Sequence, residues 1–253
     1  MKKVAFLNII LLSLLSSTIS FAQERVVTFG IQVKPIIPLG FFDTGEQKEV
    51  SNNVDFTLTP KTGLGFGMVI RKGFTKSLSF ETGINLIRRN YDLTITDADS
   101  NFTSNSSFKM SNYEIPVLGL VYVQLGDNLF MNVAGGFSLD VYPTDLRTVG
   151  VNFSNDLIRF QWLSTSLLAN IGWEYRTEES GYLYFGASLH RPFSPIFKEF
   201  IVYDGFSKNE TMQFDLSGNY FTIDIRYFFH EDKQKKKKKK KKKEKRVFID
   251  PRK

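Results

Sequence analysis

Residues 220–229 constrain the fold more than any other stretch of the chain. Phe221, Ile223, Ile225, Tyr227 and Phe229 are bulky and apolar, and they alternate with Thr222, Asp224 and Arg226. A period of two belongs to a β-strand, whose successive side chains leave on opposite faces. One face therefore suits lipid and the other a polar lumen, which is what a sheet crossing a membrane demands of each of its strands.

The same alternation recurs upstream, giving eight segments in all. The first, residues 25–34, sets Val27, Phe29, Ile31 and Val33 against Thr28, Gly30, Gln32 and Lys34. The second, residues 61–72, sets Leu64, Phe66, Met68 and Ile70 against Gly63, Gly65, Gly67 and Arg71. The third sets Leu78, Phe80, Thr82, Ile84 and Leu86 against Ser79, Glu81, Gly83, Asn85 and Arg89. The fourth, residues 109–124, is apolar on both parities between Val117 and Val123, so its facing stays open. The fifth is the cleanest, with Leu129, Met131, Val133, Phe137, Leu139 and Val141 opposed to Asn132, Ala134, Gly136, Ser138 and Asp140. The sixth ends around Trp173, the seventh covers residues 182–191, and residues 220–229 are the eighth.

Polar stretches at residues 35–60, 96–107, 143–157 and 192–215 read as long loops, and short turns follow the even segments. Short turns on one side and long loops on the other are the asymmetry of outer-membrane barrels, and an even strand count places both chain ends in the periplasm. The expected fold is all-β: an eight-stranded antiparallel up-and-down transmembrane β-barrel over residues 23–229. Phe160, Trp162, Trp173, Tyr175, Tyr182, Tyr227 and Phe229 then fit interfacial girdles. A soluble β-sandwich or lipocalin-like barrel also alternates, but it turns its large apolar side chains inward. Here the smaller face is Gly, Ala, Ser, Asn and Thr with several charges, which suits a narrow interior.

The ends agree with export. Lys2 and Lys3 precede an apolar stretch, residues 4–15, too short to cross a bilayer, and Ser20, Phe21 and Ala22 form a cleavage pattern before Gln23. Residues 1–22 read as a signal peptide. The chain has no cysteine, which excludes disulfides, thiolate metal sites, a cysteine nucleophile and a lipidated N-terminal cysteine. The longest apolar run after the signal, residues 115–123, is broken by Pro116 and Gly119 and falls far short of the ~20 residues of a spanning helix. Of the net +7, the last 24 residues carry +10 and the leader +2, leaving −5 on residues 23–229. A mildly acidic body excludes a nucleic-acid surface on the folded domain.

Phe21, Ala22 and Gln23, the segment opening Tyr113, Glu114, Ile115, Pro116, Val117 and Leu118, the run Val133, Ala134, Gly135 and Gly136, and the aromatic-ended last segment together resemble the PorT-type outer-membrane β-barrel family. The resemblance covers about residues 25–229. It implies the barrel fold, and a role in protein secretion for the family's named member; the tail beyond His230 departs from it.

Parity places Arg71, Glu81, Arg89, Asp140, Glu174, Asp224 and Arg226 in the lumen, with Glu114 joining them if the fourth segment faces that way. Both signs occur on neighbouring segments, so they are expected to pair and plug a barrel too narrow for a water column. Ser188 and His190 share a face near Glu174 or Asp224, the residue types of a hydrolase, but short polar residues on a crowded lumen face read first as hydrogen-bonded filler. No cofactor or metal motif is evident, and the glycines from Gly63 to Gly67 lie in a strand with no helix to follow. Four Asn-x-Ser/Thr sites, at Asn101, Asn105, Asn152 and Asn209, read as polar loop composition.

Tyr227 and Phe229 are expected to serve as the insertion signal at the chain's last strand. Beyond them an unbroken run of lysines begins at Lys235 and ends at Lys243, followed by Val247, Phe248 and Ile249. Such a run repels itself and stays unfolded. The expected role is a periplasmic tether to anionic headgroups, cell wall or an acidic partner, with Phe248 docking on protein. The functional expectation is a non-enzymatic structural or interaction barrel, with a secretion or barrel-assembly component second and a lipid-modifying enzyme third; the partners are outer-membrane lipid and a periplasmic or outer-membrane protein.

Overall fold

The structure is a computed structural model and describes residues 27–40, 45–75, 77–177, 180–205 and 208–229. The expected signal peptide, residues 1–22, and the lysine-rich tail lie outside the described residues. Thirteen strands follow one another: β1 (Val27–Ile37), β2 (Gln47–Ser51), β3 (Val54–Gly73), β4 (Leu78–Asp97), β5 (Phe102–Gln124), β6 (Leu129–Val141), β7 (Leu146–Gly150), β8 (Phe153–Arg159), β9 (Leu163–Arg176), β10 (Tyr182–Pro192), β11 (Phe197–Asp204), β12 (Asn209–Leu216) and β13 (Tyr220–Phe228). All pairings are antiparallel.

The first sheet runs β1-β13-β10-β9-β6-β5-β4-β3-β2, and β1 pairs with β3 as well, so its order returns to its start. The expected segments correspond to the members of this sheet other than β2. The further strands β2, β7, β8, β11 and β12 correct the sequence expectation, which assigned their residues to loops. The loop expected at residues 96–107 shrinks to a turn between β4 and β5.

β3, β4 and β5 are 20, 20 and 23 residues long, about twice the 9–11 that cross a bilayer. Each carries two polarity regimes. On β4, Glu81, Asn85, Ile87 and Arg89 face inward and Leu78 and Ile84 outward; beyond Arg89 the inward face becomes Tyr91, Leu93 and Ile95, while Asp92, Thr94 and Thr96 look out. Such an inversion is the pattern expected of a strand that passes from lipid into water. Above it, β3, β4 and β5 pack on a second sheet, ordered β12-β11-β8-β7. Between them lies an apolar core that includes Phe56, Leu93, Met110, Leu157, Phe197, Ile201 and Tyr203.

Asparagines in left-handed backbone turn the outer hairpins: Asn52 and Asn53 between β2 and β3, Asn101 between β4 and β5, and Asn152 between β7 and β8. Two of the four Asn-x-Ser/Thr matches thus have a conformational cause. Lys208 ties three outer segments together, its Nζ reaching the Asn52 carbonyl (2.7 Å), Asp99 (2.8 Å) and Asp97 (3.0 Å).

Outward faces of the first sheet below the inversion expose Phe29, Ile31, Phe66, Met68, Val121, Val133, Phe137, Ile171, Leu183, Phe185 and Ile225. A band of this extent, with charges inside, inverts the soluble-barrel arrangement. β5 resolves the facing left open, with Glu114, Leu118, Leu120 and Tyr122 inward and Tyr113, Val117, Val121 and Val123 outward. One girdle expectation is corrected: Tyr182 packs inward against Val69, Tyr184 and Phe228, because it shares their face.

Candidate functional site

The interior of the first sheet is built in layers. At the end with the short turns, Arg176 sits over the rings of Phe130 (4.1 Å), Tyr122 (5.0 Å) and Tyr182 (5.4 Å), an aromatic floor that a guanidinium plane stacks on well. Above it is a layer of ion pairs. Arg71 and Glu81 face each other across β3 and β4, and Glu81 Oε2 accepts from Arg71 Nε (3.1 Å) and Nη2 (2.8 Å). Arg71 Nη1 also donates to Glu174 (2.5 Å), whose other oxygen takes Arg176. Arg226 completes the layer by donating to Glu81 Oε1 (2.6 Å) and Asp224 (2.7 Å). Asn170, Ser188 and Thr222 fill the remaining acceptor positions of Asp224.

The next layer centres on Glu114, which register sets opposite Asn85 on β4 and Asp140 on β6. Its Oε1 accepts from Lys34 Nζ (3.2 Å) and Asn85 (2.8 Å), and its Oε2 from the Tyr220 hydroxyl (2.5 Å). His190 Nε2 lies 3.0 Å from Asp140 Oδ2, 3.2 Å from Ser138 Oγ and 3.7 Å from Glu114 Oε2. The Tyr220 ring stacks on the imidazole at 4.3 Å. Ser166 donates to Asp140 as well. The glycines of β3 make this packing feasible, since a Cβ at Gly67 would collide with the Ile84 carbonyl and the Asn85 side chain.

The sequence-predicted lumen residues thus fall into two groups. Arg71, Glu81, Glu174, Asp224 and Arg226 meet in one ion-paired layer, and Glu114 and Asp140 in another. Arg89 departs from the expected pairing. It is buried, yet its guanidinium goes to the Gly218 carbonyl (3.1 Å) and Asn112 (3.3 Å), with no carboxylate partner among the described residues. Sequence reasoning missed Lys34 and Tyr220. Lys34 carried a usable signal, sharing the parity of Thr28, Gly30 and Gln32; Tyr220 carried none, because a buried tyrosine reads as packing.

The Ser–His–carboxylate types do meet, but not as a triad. Ser138 and Asp140 both lie on Nε2 of His190, whereas a triad needs the carboxylate on the other ring nitrogen, and Nδ1 has no partner. Ser188, which shares His190's strand, bonds Asp224 and Asn170. Of the expected insertion signal, Tyr227 and Phe229 pack edge to face at 5.4 Å, and the Phe229 N–H donates to the Phe29 carbonyl at the β13–β1 seam (2.8 Å).

The profile of the outer membrane protein beta-barrel domain family matches residues 21–198. The chain belongs to that family. Among solved structures, the outer membrane protein OprG from Pseudomonas aeruginosa is similar at 14% identity and a TM-score of 0.49, over 82% of this chain and 98% of that one. No curated protein matches. Membership in the outer membrane protein β-barrel domain family accounts for the exposed apolar band, and it fixes the outer membrane as the compartment.

Proposed function

We propose that this family member is a non-enzymatic barrel of eight membrane-spanning strands, sealed along its length, whose outer sheet serves a structural or protein-interaction role. One observation carries the reading: Glu81, Glu114, Asp140, Glu174 and Asp224 are each at most 2% exposed, so no water column reaches the charges that would line a pore. The aromatic floor and the apolar core above the membrane seal the two ends. A lumen filled this way serves as a rigid support for what is displayed outside.

The second reading is a component of a secretion or barrel-assembly complex of the PorT type. It is favoured by the β7–β8 hairpin tip, where Val149 and Val151 stand 70% and 69% exposed, beyond what a free surface hairpin needs. In either case both chain ends face the periplasm, since the short turns share their end of the sheet.

The test is conductance across planar lipid bilayers. The purified barrel is expected to insert without stepwise current. Regular unitary openings in the folded, heat-modifiable protein would overturn the sealed-barrel reading.

A further inference from the structure

Glu114 and Asp140 stand directly opposite each other on β5 and β6, and neither is exposed at all. Like charges at opposed sheet positions repel, and a buried carboxylate needs a compensating cation. Among the described residues one lysine and no arginine is in ion-pair contact with them: Lys34, which takes Glu114 Oε1. Glu114 Oε2 and Asp140 Oδ2 face His190 Nε2 instead. The layer below needs no such help, because its arginines and carboxylates match one for one.

We propose that Glu114, Asp140 and His190 bind one divalent transition-metal ion of the zinc class, which pins β5, β6 and β10 together beneath the outer sheet. Their donor atoms all lie within 4.8 Å of one another. Ligands about 2.0–2.1 Å from a tetrahedral ion stand roughly 3.4 Å apart. The separations from His190 Nε2, 3.0 and 3.7 Å, straddle that value. One neutral imidazole with two carboxylates is a donor set zinc accepts, and it matches a double positive charge.

Independent of these ligand distances, the surrounding groups are left unpaired. Asp140 Oδ1, His190 Nδ1 and the hydroxyl of Ser164, which register places across from Asp140 on β9, are buried without a hydrogen-bond partner. Asp140 Oδ1 can supply a second carboxylate contact, and the Ser164 hydroxyl can hold a water in the fourth position. The outer groups that orient metal ligands are present too: Tyr220 stacks on the imidazole, Ser138 and Ser166 hold Asp140, and Lys34 and Asn85 hold Glu114. The ion is structural, and a barrel sealed without it remains sealed, so this inference and the proposed function fail separately.

The test folds the untagged full-length chain into detergent with Co²⁺ and then removes free metal. The expected result is about one Co²⁺ per chain by elemental analysis, displaced by Zn²⁺. Asp140→Asn and His190→Gln, near-isosteric changes, are expected to weaken retention at least tenfold, while Glu174→Gln in the neighbouring layer keeps it. The heat-dependent mobility shift checks that each variant has folded. If the variants do not fold, zinc-edge X-ray absorption of the wild type decides, since imidazole ligation is visible there. Wild type that retains no ion, zinc without imidazole ligation, or folded His190→Gln that retains as much as wild type overturns the site.

Discussion

Glu81 is gripped by Arg71 on one oxygen and Arg226 on the other, inside a sheet that water does not reach. Replacing it with Gln leaves two buried guanidinium groups each short of a partner, and breaking a buried pair from one side costs about 3–5 kcal/mol. Pairing Glu81→Gln with Arg71→Gln is expected to cost less than the sum of the single changes, with a coupling of roughly 0.5–3 kcal/mol. Urea titration of the folded barrel measures the cycle, and additive losses would show the two do not interact. Glu199 on β11 poses the opposite problem. It is buried in the outer apolar core, with Asn155 on one oxygen (2.6 Å) and nothing on the other. Burial pushes its carboxyl up to about 7, against the pull of the Asn155 hydrogen bond. Because the folded value is raised, the stability tied to the protonated acid is fully present below the ordinary carboxylate range and is lost as pH rises through about 7. The upper bound on that loss is about 3 kcal/mol. Glu199→Gln is expected to match wild type at pH 4 and exceed it in thermal midpoint at pH 8. Parallel melting curves at both pH values for the two proteins would refute the argument.

At the scale of elements, β13, the last strand of the chain, lies between β10 and the first strand, β1, and pairs with both. Its last residues hold both seams: Tyr227 is opposite Leu183 and Ile31, and the backbone of Phe229 reaches Phe29. Deleting residues 227–229 is expected to leave unassembled periplasmic chain, read as loss of the heat-modifiable band in outer-membrane fractions. Normal amounts of that band in the deletion would remove these residues from assembly. The long strands teach a different lesson. β4 was legible as far as Arg89, where apolar side chains leave outward. Beyond it the same parity is kept while its polarity reverses, and a pattern keyed to outward apolar residues reads the reversal as the end of a strand. Serines and asparagines in the outer half of β5 deepened the error, since polar residues on a solvent-facing strand look like loop composition.

For the molecule as a whole, the charge partition separates a mildly acidic body from a strongly basic tail. The tail lies outside the described residues, and the tether expected of it rests on electrostatics alone. Each lysine near an anionic surface contributes about 1 kcal/mol, and the attraction falls within a Debye length of about 8 Å at physiological salt. Truncation after Glu231 is expected to keep the folded barrel and abolish salt-sensitive retention on cell wall or an acidic partner. Equal retention of both forms at every salt concentration would make the tail a passenger.

The sequence by itself determined the strands that bury charge and expose apolar bulk, and the side of the sheet on which Arg71, Glu81, Asp224 and Arg226 lie. All of these follow from the two-residue period, which is local. Which charge meets which was not local. Lys34 and Glu114 are 80 residues apart, and Arg226 and Glu81 are 145 apart. Their contacts depend on strand register and on how far each side chain reaches across a narrow interior. The outer sheet was decided in the same way. Apart from Asn155 and Glu199, the buried residues of β8, β11 and β12 are apolar, and they are buried because another sheet lies opposite them; no stretch of sequence states what its opposite face will be.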